Sequence, residues 1–147
     1  MTVTREDQFS LEFACEPDFI STARLFAGAA ARYYGCDEDV VQDVKIAISE
    51  ACTNAVKAHA DALISSPIRV LVREREGRVV FEVVDAGGGF ERSNGNGSGH
   101  VDPDALLESG IGLQIIQALF DDTEVGPNGE GGTTVRFSVP RGKTENA

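Results

Sequence analysis

Apolar residues recur along the chain with two different spacings, which separate predicted strands from predicted helices. Apolar and polar residues alternate from Phe9 to Cys15, a pattern typical of a strand with one buried face. Similar short β-type runs return further on, at residues 68–73, 78–84, 123–125 and 133–139. The turn Glu76-Gly77 joins the second and third runs, and Pro127-Asn128-Gly129 joins the last two. The chain therefore predicts two β-hairpins in addition to the first strand.

Apolar residues spaced three and four apart predict three helices. The first opens at Pro17-Asp18 and ends at Gly35, and the third begins at Gly110, after a short helical piece at residues 103–108. The second helix follows the acidic turn at residues 37–39 and is expected to run to about Ala60. It is the longest element, and it carries an apolar stripe that should pack on a sheet: Val40, Val41, Val44, Ile48, Ala51, Cys52 and Ala55.

The order of elements is strand, two helices, hairpin, loop, helix and hairpin, with no internal repeat. Such an order predicts an α+β fold, a two-layer α/β sandwich in which a mixed, mostly antiparallel sheet is covered by helices on one face. The 147 residues, 41% of them hydrophobic, are enough for a single domain with its own core. We therefore expect one domain over residues 1–147.

Charge and composition exclude several classes of partner. The net charge of -11 argues against direct binding of nucleic acid, which depends on Lys and Arg at phosphates. No apolar run approaches the roughly 20 residues of a membrane span, and the first seven residues lack the apolar core of a secretory signal. We therefore expect a cytoplasmic protein. Cys15, Cys36 and Cys52 lack metal-ligand spacing and are interpreted as small buried residues.

Glu50 and Asn54 are four residues apart on the second helix, so their side chains lie on one face. A carboxylate and a carboxamide in this arrangement offer a hydrogen-bond acceptor, a candidate general base and an oxygen ligand for a hard cation. The alternative is a solvated helix face that holds both residues without a function. That alternative stays open on the evidence of this helix alone.

Glycine-rich segments follow the second predicted hairpin strand. Asp85 comes directly after a buried strand, and Gly87 and Gly89 would let a flat ring approach the backbone closely; a plain turn is the alternative. The stretch from residue 86 to 100 is either functional or a disordered linker. Gly110 and Gly112 open the third helix, where free amides favour phosphate. Thr133 places a hydroxyl at the start of the last strand.

Taken together, these segments resemble the ATPase superfamily that includes DNA gyrase, sensor histidine kinases and the bacterial anti-sigma factor serine kinases. Residues 50–59 are similar to its asparagine box, residues 85–90 to its D-x-G-x-G-F box, residues 110–113 to its G-x-G-L box and residues 132–134 to its closing G-T segment. The resemblance implies the Bergerat ATP-binding fold, with a glycine-rich ATP lid at about 90–109. The short chain and the Ser-Glu-Ala-x-Thr-Asn-Ala-Val sequence indicate the anti-sigma factor kinase branch.

The resemblance also implies a role for each motif residue, with ATP and Mg²⁺ as cofactors. Glu50 would be the catalytic base for an attacking serine hydroxyl, and Asn54 would hold the magnesium ion. Asp85 would recognise the adenine amine, with support from Thr133. The other implied ATP-binding residues belong to the glycine motifs: Gly87, Gly89, Gly110, Gly112 and Leu113.

The implied function is a protein serine kinase that phosphorylates an anti-sigma factor antagonist and sequesters a sigma factor. A binding-only anti-sigma or regulatory module without phosphoryl transfer is the alternative, and a detached histidine-kinase catalytic domain is a weaker one. Relatives often dimerise, so a homodimer is also an open expectation. The chain departs from the family in two places. Ala58 stands where a histidine is common, with His59 one position later, and residues 107–109, just before Gly110, include no arginine, which some relatives carry there. His59 is interpreted as a surface residue at the helix end.

Overall fold

The computed structural model describes residues 8–87, 111–129 and 131–142. Within these ranges the chain forms strands and helices in the predicted order. The elements are β1 (Gln8–Phe13), a 3₁₀ turn (Pro17–Phe19), α1 (Ile20–Tyr33), α2 (Glu38–Ala62), β2 (Ile68–Arg75), β3 (Arg78–Val84), α3 (Ile111–Leu119), β4 (Glu124–Pro127) and β5 (Thr133–Pro140). The predicted lid at about 90–109 and the short helix at 103–108 lie outside the described residues.

The five strands form one sheet in the order β1-β2-β3-β5-β4. Every pairing among the described residues is antiparallel, where a mixed, mostly antiparallel sheet is predicted from the sequence. The predicted hairpin between β2 and β3 is confirmed, and its turn residues Glu76 and Gly77 have φ values of 54° and 79°. Both residues thus adopt the left-handed conformation that tight hairpins require.

The pairing of β3 with β5 decides where the candidate site lies. Val84, the last residue of β3, pairs with Thr134, near the start of β5. The segment that follows β3 is consequently adjacent to the segment that precedes β5. Residues about 50 positions apart in sequence therefore meet at one end of the sheet.

The apolar stripe of α2 is buried as predicted, except for Val40, which is partly buried. Val41, Val44, Ile48 and Cys52 are fully buried, and α2 contacts α1, α3 and the strands β2, β3 and β5. Burying one such aliphatic side chain contributes roughly 1.5–3 kcal/mol. The stripe therefore accounts for much of the attachment of α2 to the sheet.

The inward side chains of the sheet complete the core on the other side of the α2 stripe. They alternate along each strand and are buried: Leu11, Phe13, Ile68, Val70, Val72, Val79, Phe81, Val83, Val135, Phe137 and Val139. Phe137 stacks between Phe81 and Phe120, with ring centroids 5.2 Å and 4.3 Å apart respectively. The predicted α+β sandwich with helices on one face of the sheet is confirmed.

Element boundaries differ from the predictions by a few residues. α2 continues to Ala62 rather than about Ala60, and it ends where Leu63 takes a left-handed φ of 57°. β4 spans Glu124–Pro127 rather than residues 123–125, because Pro127 still pairs with Thr133. Among the described residues, no helix is both long enough and apolar enough to span a membrane.

Candidate nucleotide-binding site

Glu50 and Asn54 form what we call the acid–amide pair. The two side chains lie on one face of α2 and point at the beginning of α3. A Cβ atom placed on Gly112 would lie 3.0 Å from Asn54 Nδ2 and 3.2 Å from Glu50 Oε2. Any larger residue at position 112 would therefore press on the pair, so the first turn of α3 needs a glycine to approach it this closely.

The carboxamide of Asn54 is well suited to a bound ligand. Its Nδ2 atom is buried and has no hydrogen-bond partner among the described residues. Buried polar groups are nearly always paired in folded proteins, so an unpaired one is a reason to look for a ligand. The amide oxygen on the same group is a suitable ligand for magnesium. Within the described part of the chain, no cluster of three or more His, Cys, Asp or Glu side chains could hold a metal.

Asp85 directly follows the last residue of β3 and is only 7% exposed. Its Oδ1 atom accepts hydrogen bonds from two backbone amides, Gly87 N–H at 2.9 Å and Thr133 N–H at 3.1 Å. Burial raises the pKa of the Asp85 carboxyl above its ordinary value, and these two hydrogen bonds oppose that increase. Because both described bonds go to Oδ1, Oδ2 is the oxygen left to accept from a ligand.

Thr133 does contact Asp85, through its backbone. In addition to the amide bond above, the Asp85 N–H donates to the Thr133 carbonyl at 3.0 Å. The resemblance implied support from Thr133, and in the structure main-chain atoms provide it. Such support depends on the register of β3 with β5 more than on the side chain at position 133.

Two residues of the second hairpin also lie against Asp85, and their local sequence does not predict this role. Asn128 Nδ2 donates to the Asp85 carbonyl at 3.0 Å, and Asn128 Oδ1 accepts from Gly132 N–H at 3.2 Å. A Cβ atom on Gly132 would overlap the carbonyl oxygen of Asp85. The sequence assigns Asn128 to a turn and Gly132 to the closing G-T segment, and neither local signal reveals a contact with residue 85.

His59 is the clearest correction. The sequence analysis interpreted it as a surface histidine, but it is 0% exposed. Its Nε2 atom accepts a hydrogen bond from the Ala86 N–H at 2.9 Å. Position 59 follows the buried residues Cys52 and Ala55 by seven and four positions, so the helical period would have placed it on the buried face.

The remaining predicted site residues divide into two groups. Gly87 is buried against Ala58 and His59, and Leu113 is partly buried against the core. Gly89 and Gly110 lie outside the described residues. The site as described therefore contains the acid–amide pair, Gly112 and the Asp85 segment.

The sequence predicts that all three cysteines are buried, but only one of them is fully buried. Cys52 is fully buried in the core, and burial raises the pKa of its thiol to about 12. Cys15 and Cys36 are only partly buried, and burial also raises the pKa of each thiol. All three are free thiols.

Glu50 is accessible from the surface formed by α1 and α2. An open pocket of about 360 Å³ lies there. It is lined by Arg24, Gln42, Lys45, Ile46, Ser49 and Glu50. Glu50 can thus be approached from outside on the α1–α2 surface.

Comparison of the sequence with known proteins places the chain in a family. A family model described as a histidine kinase-like ATPase domain matches residues 13–139. Several curated relatives carry the name "Serine-protein kinase RsbW". The Bacillus velezensis protein is 31% identical over 140 residues, which cover 92% of this chain and 86% of the relative. The Bacillus licheniformis protein is 32% identical over 124 residues (81% and 78%), and the Listeria innocua protein 31% identical over 127 residues (83% and 81%).

A solved structure has the same fold. It contains the RsbU and RsbW domains of Rv1364c from Mycobacterium tuberculosis, and it matches with a TM-score of 0.67 at 20% sequence identity. The match covers 96% of this chain and 34% of that longer chain. At this identity the likeness concerns the fold, while the family follows from the sequence matches. The chain belongs to the histidine kinase-like ATPase domain family and, within it, to the serine-protein kinases of the RsbW type.

Proposed function

We propose that the chain is an ATP-dependent serine kinase that phosphorylates an anti-sigma factor antagonist and, as an anti-sigma factor, sequesters a sigma factor. The observation that carries the proposal is the acid–amide pair, which faces Gly112 and whose Glu50 also lines the open pocket on the α1–α2 surface. Nucleotide and protein substrate would then reach Glu50 from different directions. Phosphoryl transfer requires mainly such positioning together with charge neutralisation.

Each part of the site has one task in this proposal. Asp85 accepts a hydrogen bond from the adenine amine through Oδ2, and Gly87 lets the base approach the backbone. The backbone amide of Gly112, in the first turn of α3, binds phosphate together with that of Gly110, which precedes the helix in sequence; helix N-termini commonly bind phosphate. The stretch at about 90–109, with Gly89 before it, covers the nucleotide as a lid.

Glu50 acts on the substrate serine. It accepts the hydroxyl proton while the serine oxygen forms a bond to the terminal phosphorus of ATP and the bond to ADP breaks. Asn54 would hold Mg²⁺, which neutralises the phosphate charge that develops in this step. The buried Nδ2 atom of Asn54 has no partner among the described residues, so it leaves a donor for a phosphate oxygen beside the amide oxygen that would bind the ion.

The partners are inferred from the membership of the chain in the RsbW-type serine-protein kinases. We infer a cytoplasmic protein whose two protein partners are a sigma factor and its antagonist, and which forms a homodimer. Size-exclusion chromatography of the chain alone and with each partner tests these assignments. A chain that elutes as a monomer at all concentrations would contradict the homodimer.

The substitution Glu50→Gln tests the kinase assignment. We expect transfer of radiolabelled phosphate from ATP to a purified anti-sigma factor antagonist to fall by roughly 10²–10⁴-fold, the usual contribution of a general base. Affinity for ATP, measured by calorimetry, should change less than about threefold, since the amide keeps the size of the carboxylate. Unchanged transfer would remove Glu50 from the role of base.

Glu38→Gln is the matched control, because it makes the same chemical change on α2 about three turns earlier. Glu38 is exposed and pairs with Arg32, away from the acid–amide pair. The control should transfer phosphate at the rate of the wild type. Magnesium-dependent ATP binding without transfer in the wild type would instead support the binding-only module.

A further inference from the structure

His59 is a fully buried histidine that faces the segment after β3. It is 0% exposed, and Nε2 accepts a hydrogen bond from the Ala86 N–H at 2.9 Å. The main chain is equally close: a Cβ atom on Gly87 would lie 2.9 Å from His59 Cδ2 and 2.9 Å from Ala58 Cβ. The end of α2 and the segment from residue 85 to 87 are therefore in direct contact.

The hydrogen bond determines which ring nitrogen of His59 carries a hydrogen. Because Nε2 accepts a hydrogen bond from the Ala86 amide, the ring is neutral in this arrangement and carries its hydrogen on Nδ1. Nδ1 is buried without a partner among the described residues. An apolar side chain would fill the same space without burying an unpaired N–H, so packing alone does not explain a histidine here.

The segment after β3 is held from two sides. On the sheet side, Asp85 exchanges backbone and carboxylate hydrogen bonds with Thr133. On the helix side, the bond from Ala86 to His59 is the described link to α2. Ala86 stands between Asp85 and Gly87, whose N–H donates to the Asp85 carboxylate. Fixing the Ala86 amide therefore fixes both of its neighbours.

We propose that His59 is a positioning residue for the nucleotide base: by accepting a hydrogen bond from the Ala86 amide, it holds Asp85 and Gly87 in the arrangement that receives adenine. This inference rests on the proposed function, because it assumes that Asp85 recognises the base. His59 itself does not contact the reacting atoms. The acid–amide pair lies more than one helical turn earlier on α2, so the effect should concern affinity for ATP and not the rate of transfer.

The test compares His59→Leu, which removes the acceptor, with His59→Gln, whose amide oxygen lies near the place of Nε2. We expect His59→Leu to raise the KM for ATP about tenfold with kcat unchanged, since a segment that is correctly arranged in a tenth of the molecules lowers the apparent affinity by that factor. His59→Gln should restore the KM to within about threefold of the wild type. A packing role would not distinguish the two variants in this way.

A second readout needs no nucleotide. In the free protein, amide hydrogen exchange at Ala86 should become at least about tenfold faster in His59→Leu and return in His59→Gln, while Phe81 in the core of β3 stays protected. Should His59→Leu fail to fold, as judged by circular dichroism, His59→Asn takes its place, because the shorter amide cannot reach Ala86.

The outcomes separate this inference from the proposed function. Equal KM values for His59→Leu and wild type, or equal exchange at Ala86, would overturn the positioning role. A wild-type protein that binds no ATP would overturn the proposed function, and the exchange measurement would still decide whether His59 holds the Ala86 amide. A rise in KM that His59→Gln does not correct would also count against the hydrogen bond.

Discussion

Asp85→Asn is the substitution that most directly tests how the base would be recognised. Asn keeps the shape of the side chain and an oxygen that can accept from the amides of Gly87 and Thr133. The second terminal atom changes from an acceptor to a donor. Where the carboxylate could accept from the adenine amine, the variant would present one N–H group to another. We therefore expect weaker binding of ATP with little change in the fold.

The size of the expected loss in ATP affinity follows from the burial of Asp85. Asp85 is 7% exposed, and a hydrogen bond to a buried charged group contributes about 1–3 kcal/mol, which corresponds to a loss of about 5- to 150-fold in affinity. The stability of the fold should decrease less than the affinity for ATP. Burial raises the pKa of Asp85, so its ionised form is disfavoured in the folded state, and a neutral amide removes that cost.

Calorimetric titration with ATP and with inosine triphosphate makes the test specific. Inosine carries a carbonyl in place of the adenine amine, so the new amide donor of Asp85→Asn should favour it relative to ATP. Asp61→Asn, on an exposed position of α2, is the control and should bind as the wild type does. ATP affinity within twofold of the wild type, with the same ratio of the two nucleotides, would refute the assignment of Asp85 to the base.

Four further outcomes are expected. Gly132→Ala should lower the free energy of unfolding by at least about 1 kcal/mol in urea titrations, because its Cβ would overlap the Asp85 carbonyl, whereas Gly129→Ala, with open space around it, should not. Gly112→Ala should reduce phosphate transfer by crowding the acid–amide pair, and an unaltered rate would contradict the close approach of α3. The Cys52 thiol, with its pKa raised to about 12, should resist alkylation in the folded protein at pH 8 and react after unfolding. ATP affinity should fall up to tenfold per pH unit as the pH decreases below the raised pKa of Asp85. The stability that this carboxyl contributes to the unliganded fold has the opposite dependence: it is present below the usual aspartate pKa and is lost as the pH rises through the raised pKa.

Local patterns predicted the elements well because they depend on neighbouring residues. The stripe along α2 repeats every three to four positions, and Val41, Val44 and Ile48 are all fully buried. The Glu76-Gly77 turn predicted its hairpin for the same reason, since the turn conformation is set within two residues. Boundaries were less accurate, as at the end of α2, because the last turn depends on what it contacts.

The candidate site was predicted in part. Glu50, Asn54 and Asp85 were selected because they stand in motifs whose spacing is visible in the chain. Asn128 was read only as a turn residue, although its side chain holds the Asp85 carbonyl. His59 was placed on the surface because a polar residue at a helix end usually lies there. Neither side chain has a local signal for the contact that it makes.

By itself, the sequence determined the α+β class, the order of the elements, the amphipathic helix with its acid–amide pair and the family to which the motifs belong. These depend on periodicity and on short motifs, which neighbouring residues carry. Only the tertiary structure decided that β3 pairs with β5, so that Thr133 and Gly132 meet Asp85, and that the side chain of His59 meets the Ala86 amide. Such contacts join residues 27 to 48 positions apart, and they form only because burial of the core brings the sheet and α2 together.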